Sequence, residues 1–187
     1  MRKTLLKTYR GLYAFFGPQK WWPADTPFEV IVGAILTQNT AWSNVEKAIK
    51  NLKACRLVSP KALSHANHSK IAKLIRPSGY YNIKIRRLKN FLAFLNGDFG
   101  GSVSRMSKAE PMALRKALLG INGIGPETAD SILLYALNKP FFVIDTYTRR
   151  IFLRHKLIKK DASYDELQRF FMSNLPNSAK LYNEYHA

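Results

Sequence analysis

Cysteine is almost missing from this chain: of 187 residues only Cys55 is one. A lone thiol excludes an internal disulfide and any metal centre built from several thiolates. Acid is also scarce, since 12 Asp and Glu stand against 30 Lys and Arg, for a formal net charge of +18. No unbroken apolar run approaches the length of a membrane span. The basic N-terminus, Met1 to Arg10, lacks the apolar core of a signal peptide because charged residues interrupt it. Strand-like alternation is nearly absent, and Phe141 to Ile144 is too short to build a sheet. The glycine-rich stretch Gly97 to Gly101 has no lysine-serine ending, which excludes a nucleotide-binding P-loop. These absences leave a soluble, intracellular, all-α protein without an internal repeat.

What is present begins with charge. Self-repulsion of this size is relieved by a polyanionic partner, so nucleic acid leads, ahead of an anionic membrane and of a merely basic protein. A hydrophobic content of 47% fits a chain with a real core. Helical spacing predicts an amphipathic helix over residues 1–16, stopped by Gly17-Pro18, an apolar one over 28–37 and another over 43–53. Ser59-Pro60 opens a short helix, with proline in its first turn. His65 and His68 beside it are spaced for a metal pair, but no third ligand is near in sequence. Trp21-Trp22-Pro23 lies in a proline-bounded loop. Its rings either pack on their own core or form a stacking wall for a planar ligand.

After the turn Arg76 to Asn82, with Tyr80 and Tyr81, come Lys84, Arg86, Arg87 and Lys89 interleaved with Ile85, Leu88, Phe91 and Leu92. Basic and aromatic residues together suit a nucleic-acid surface better than a membrane surface. The glycines are expected to form a loop over 97–101, and Pro111 to open the next helix.

The stretch from Leu114 to Arg149 carries the most chemistry. It holds an apolar helix, the hairpin Ile121-Asn122-Gly123-Ile124-Gly125-Pro126-Glu127-Thr128, a second apolar helix, and Asp145. Ala129, Ile132, Leu133, Ala136 and Leu137 recur on one helical face, which predicts a continuous α-helix through them. Two glycines one residue apart feeding a helix N-terminus make either a phosphate-binding turn or an ordinary helix–turn–helix connection. Further helices are expected over 148–155 and 164–175.

At the hairpin and its aspartate the pattern becomes specific. Ile121-Asn122-Gly123-Ile124-Gly125 with Thr128-Ala129, followed by Val143-Ile144-Asp145-Thr146, resembles the helix–hairpin–helix and Gly/Pro…Asp motif of the endonuclease III superfamily of DNA glycosylases. Gly79-Tyr80-Tyr81-Asn82-Ile83-Lys84 is similar to the loop with which that family invades a duplex. Ile35-Leu36-Thr37-Gln38-Asn39-Thr40 is similar to its other probing loop. The three motifs occur in order over nearly the whole chain. With Trp21-Trp22-Pro23 and Gly125-Pro126-Glu127-Thr128-Ala129-Asp130, the likeness is greatest to the 3-methyladenine DNA glycosylase III-like, endonuclease III-related branch.

That resemblance implies a two-domain, all-α, endonuclease III-like fold. Residues 24–137 would form a six-helix barrel domain, and 1–23 with 138–187 a second helical domain made from both termini, with the DNA cleft between them. The partner implied is double-stranded DNA with a flipped damaged base, met by a monomer in the cytoplasm and, when bound, at the nucleoid. Asp145 would stabilise an oxocarbenium-like sugar or orient water, although as a residue preceding a helix it also suits an N-cap. Glu127 would be catalytic or would simply favour the helix dipole. Trp21, Trp22, Pro23 and Trp42 would form the base pocket. Gly123, Ile124, Gly125 and Thr128 would hold phosphate, Gln38 and Asn39 would probe the vacated space, Tyr80 would stack on the orphaned base, and Lys84, Arg86 and Arg87 would contact the backbone.

Two departures bear on the chemistry. Bifunctional relatives carry a lysine nucleophile two residues after the second hairpin glycine, where this chain has Glu127, and a carboxylate cannot form a Schiff base with C1′. Most of the superfamily also binds a [4Fe–4S] cluster through four cysteines beyond this region. Their absence implies a cluster-free branch or a chain that continues further. A monovalent cation at the hairpin carbonyls is a feature of relatives. The activity implied is a monofunctional base-excision glycosylase acting on alkylated purines such as 3-methyladenine. The alternatives are an endonuclease III-type or adenine-mismatch glycosylase acting on oxidised or mispaired bases, and a non-catalytic helix–hairpin–helix DNA-binding module.

Overall fold

The computed structural model describes residues 1–19 and 21–187, and among them the secondary structure is helical with no strand. The chain divides into two compact units, one of residues 24–132 and one of residues 1–23 with 133–187. The division falls within the apolar run after the hairpin, ahead of the 137/138 boundary that the resemblance implies.

In the first unit, helix α2 (Pro27–Leu36) is the centre. Thr26 caps it by accepting the Glu29 N–H at 3.2 Å, Pro27 starts it, and every residue from Phe28 to Leu36 is buried. A helix that is apolar on all sides must be enclosed, and its neighbours α3 (Trp42–Ala54), α6 (Tyr81–Phe99) and α9 (Pro126–Ser131) all pack on it. Helices α4 (Pro60–His65), α5 (His68–Ile75) and α7 (Val103–Met106) fill in around α3 and α6. On α6 the residues Lys84, Ile85, Leu88, Phe91, Leu92 and Leu95 are buried, the inward face that the spacing of its apolar residues requires. Helix α6 runs through Gly97 to Phe99, so the expected glycine loop is shorter than 97–101. The chain turns only at Gly100 and Gly101, both left-handed.

Helix α8 (Pro111–Leu119) leads into the hairpin, and α9 leaves it. The two are clamped by a bidentate ion pair: Arg115 Nε reaches Asp130 Oδ1 at 2.7 Å and its Nη2 reaches Oδ2 at 3.0 Å, with Asp130 fully buried. The single α-helix expected through Leu137 is not what forms. The α-helical part ends at Ser131 and the chain continues as a π-helical turn, Ile132–Ala136. Residue spacing is blind to this change, because one inserted residue per turn rotates the next side chains without altering their apolar character.

The second unit comprises α1 (Arg2–Phe16), α10 (Thr146–Arg154), α11 (Tyr164–Asn174) and α12 (Ala179–His186). Its core is aromatic: Phe142 stacks parallel on Phe171 with ring centres 4.3 Å apart, and Phe152 meets Phe171 edge-on at 4.8 Å. Helix α11 starts with a complete capping box between Ser163 and Glu166. The Tyr185 hydroxyl donates to the Leu5 carbonyl at 2.8 Å, tying the first helix to the last. Sequence spacing leaves α5, α7 and α12 undetected, since each is short. No helix of the described residues is long and apolar enough to cross a membrane.

Candidate active site and nucleic-acid interface

In the 24–132 unit the hairpin is braced from two sides. Ile121 and Ile124 bury their side chains and anchor its ends. Gly123 has φ +94°, and an added Cβ would overlap the aliphatic stem of Arg87, so both conformation and space call for glycine. Gln38 Nε2 donates to the Gly123 carbonyl at 3.0 Å and to the Thr128 hydroxyl at 2.9 Å, while Arg87 Nη1 donates to Gln38 Oε1. Asn90 Nδ2 adds a bond to the Asn122 carbonyl at 2.9 Å.

This network bears on three expectations. Gln38 is a fully engaged latch in this state, and to enter a duplex it must release all three bonds. Thr128 is buried with its hydroxyl accepting from Gln38. The Ile124 N–H donates to the Ile121 carbonyl at 3.0 Å and is not available to an anion, whereas the N–H groups of Gly123 and Gly125 make no such bond.

Lys84 is the largest correction. Expected on the phosphate-facing edge, it is 1% exposed, and its ammonium donates to the Leu36 carbonyl at 2.7 Å and the Ser78 carbonyl at 2.5 Å. Burial, with the Arg87 charge adding to it, pushes its amine down to about 8. Leu36 precedes the Gln38 loop and Ser78 precedes the Tyr80 loop, so one buried cation pins the base of both. At the loop tips Asn39 and Tyr80 have left-handed backbones (φ +54° and +44°), and Tyr80 is 68% exposed. A bulky residue held in that region signals stored backbone strain. Arg86 is exposed on α6, and Glu127 is exposed on the first turn of α9, where a carboxylate suits the dipole. Trp42 donates its indole N–H to Glu46 on its own helix at 3.0 Å.

In the other unit, Asp145 is the N-cap of α10, its Oδ1 accepting the Thr148 N–H at 2.6 Å. It lines a cavity of about 360 Å³ together with Leu12, Tyr13, Phe16, Tyr147 and His186. Trp21, Trp22 and Pro23 do not line that cavity. Trp22, itself left-handed at φ +74°, packs its ring 5.0 Å from that of Tyr135. Sequence spacing gave no sign of Tyr135 or His186, whose hydroxyl and Nδ1 meet at 2.6 Å.

The hairpin carbonyls of Ile121, Asn122 and Gly123 each accept one N–H. Among the described residues no group of three or more His, Cys, Asp or Glu could hold a metal ion. One cysteine cannot supply the four thiolates of an iron–sulfur cluster. His65 sits at the end of α4 with Nδ1 on the Lys61 carbonyl, and His68 begins α5, so the spaced pair is split between two helices.

A helix–hairpin–helix braced by the Gln38 loop, with an aspartate at the head of a following helix, defines the endonuclease III-like class of all-α DNA-repair folds. Residues 32–177 match the family described as HhH-GPD superfamily base excision DNA repair protein. The chain belongs to that superfamily and is a DNA glycosylase of base excision repair. It is 48% identical over 185 residues to a Methanocaldococcus jannaschii protein named "Putative DNA repair glycosylase MJ1434", covering 98% of this chain and 84% of that protein. Its structure is similar to the crystal structure of Helicobacter pylori 3-methyladenine DNA glycosylase (MagIII) bound to 1,N6-ethenoadenine. There the identity is 32% and the TM-score 0.83, over 99% of this chain and 93% of the other. A non-covalent endonuclease III–DNA complex gives the same TM-score of 0.83 at 20% identity, over 100% of this chain and 82% of the other, a likeness of fold.

Proposed function

We propose that this glycosylase is monofunctional and hydrolyses the N-glycosidic bond of alkylated purines, with Asp145 as the essential carboxylate. The observation that carries the reading is Glu127. It occupies the hairpin position where bifunctional relatives place an amine, and the buried lysine of the same unit, Lys84, is committed to two backbone carbonyls. Without an amine at the sugar, no Schiff base forms and the strand stays intact. The substrate class is supported by the 32% identity to the 3-methyladenine glycosylase.

The chemistry needed is modest. An N-alkylated purine is already cationic, so its glycosidic bond is weakened before any residue acts. Flat electron-rich rings such as those of Trp21 and Trp22, in the same unit as Asp145, favour a cationic base over a normal one by about 1–2 kcal/mol per good contact. As the purine leaves, positive charge develops on the sugar. A carboxylate fixed at Oδ1 by a helix N-terminus and free to present Oδ2 stabilises that charge or orients the attacking water. On the duplex side, Tyr80 and Asn39 are the exposed loop-tip residues to enter the stack, and Arg86 with the N–H groups of Gly123 and Gly125 the donors to phosphate.

The test is base release. Methylated duplex DNA is incubated with the protein, free base is assayed, and strands are scored with and without alkali. The expected result is free alkylated purine and nicks only after alkali. Robust nicking without alkali rules out the monofunctional reading, and base release retained in Asp145→Asn rules out the carboxylate. Release only from duplexes with mispaired or oxidised bases moves the assignment to the alternative enzyme class. DNA binding without any base release supports a binding module.

A further inference from the structure

Within the Asp145 unit, one histidine is placed in a way that the helix N-cap does not explain. The Nδ1 of His186 lies 2.6 Å from the Tyr135 hydroxyl. Burial above all, then the charges of Asp145 and Glu184, push the Tyr135 phenol far above its ordinary range, so it keeps its proton and can donate to Nδ1 or accept from it. The carboxylate that lies beside the other ring nitrogen favours the arrangement with Nδ1 as the acceptor. Burial also lowers His186 below its ordinary value, against the pull of Asp145, so the ring is neutral and its single proton sits on the other nitrogen, Nε2.

That nitrogen is buried and has no hydrogen-bond partner. The acceptor beside it is Asp145 Oδ2, at 3.9 Å. This is too long for a bond, but an approach of about 1 Å makes one. Tyr135 is itself packed, with Trp22 5.0 Å from its ring and the His186 ring edge-on at 5.8 Å. The carboxylate thus has Oδ1 held by a backbone N–H and Oδ2 facing an otherwise idle one.

We propose that Tyr135 and His186 are a positioning pair for Asp145, in which Tyr135 fixes the imidazole as its Nε2–H tautomer and His186 presents that proton to Oδ2. A neutral donor orients the carboxylate without cancelling the negative charge that the developing sugar cation needs. An imidazolium there would hold it as firmly and blunt that charge. The inference rests on Asp145 being the working carboxylate, and its test separates the two ideas.

The protein is labelled with 15N-histidine and the tautomers are read from long-range proton–nitrogen correlations, with His186 assigned by its loss in His186→Gln. At neutral pH His186 is expected neutral and protonated at Nε2, and Tyr135→Phe is expected to shift it toward the Nδ1–H form or the cation. In single-turnover release of alkylated purine from methylated duplex, His186→Ala is expected to fall about ten- to a hundredfold, with affinity for abasic duplex unchanged. His186→Gln, which retains an N–H donor, is expected to recover part of the rate. An Nδ1–H tautomer in the wild-type protein overturns the proposal whatever the variants do. So does wild-type release in His186→Ala when Asp145→Asn is dead, which leaves Asp145 in place. Full release in Asp145→Asn removes the carboxylate's role and the pair's with it.

Discussion

Replacing Lys84 by methionine tests whether one buried cation holds both the Gln38 and the Tyr80 loops. The substitution keeps the apolar stem and removes two charge-assisted bonds, at 2.7 Å to the Leu36 carbonyl and 2.5 Å to the Ser78 carbonyl. Each such bond contributes about 1.5–3 kcal/mol, and its loss leaves a buried acceptor without that donor. Against this, methionine removes the cost of a buried ammonium, a cost visible in the amine's fall to about 8. The two effects leave a net destabilisation of about 2 kcal/mol, read as a lower midpoint in urea at pH 7 with an unchanged slope.

A second measurement checks the cause. The folded amine titrates near 8 and the ordinary value is 10.5, so between them the unfolded chain binds more protons. Wild-type stability should therefore rise with pH from about 8 to 10.5 relative to Lys84→Met. A variant as stable as the wild type, or a gap between the two that narrows over that pH range, would refute the reasoning. Base release should also fall in Lys84→Met, because the Gln38 and Tyr80 loops lose their shared anchor.

Arg115→Met leaves the fully buried Asp130 carboxylate without its bidentate partner and should cost about 3–5 kcal/mol in denaturant unfolding, and a cost near zero would show that the clamp is incidental. Tyr80→Gly relieves a left-handed backbone and should raise stability by up to about 1 kcal/mol while base release drops, so a fall of several degrees in the melting midpoint contradicts the strain assignment. Gly123→Ala, at φ +94° and against Arg87, should destabilise by at least about 1 kcal/mol and weaken binding to abasic duplex together. His186 has a folded value below its ordinary 6.5, so the unfolded chain takes up the proton first. The stability it supplies is present above 6.5 and lost as pH falls, and His186→Gln should flatten that acid loss in melting scans.

Much of this protein was decided by local sequence. Glycines at 123 and 125 and the prolines at 27, 60, 111 and 126 mark turns and helix starts because backbone geometry leaves few alternatives there. Asp145 could be placed at the head of a helix, and the apolar spacing of 28–37 named the helix that became the centre of its unit. Partners far apart in sequence were decided only in three dimensions. Lys84 looked like one cation in a basic edge. Its charge turned inward because two carbonyls from residues 36 and 78 converge on it. Gln38 and Thr128, read from sequence as contacts for DNA, bond each other across 90 positions in the fold. The π-helical turn at Ile132–Ala136 and the meeting of Tyr135, Asp145 and His186 leave no trace in residue spacing. Sequence fixes which groups can donate, accept or carry charge, and packing alone decides which of them meet, because a buried polar atom can pair only with a partner that the fold brings within reach.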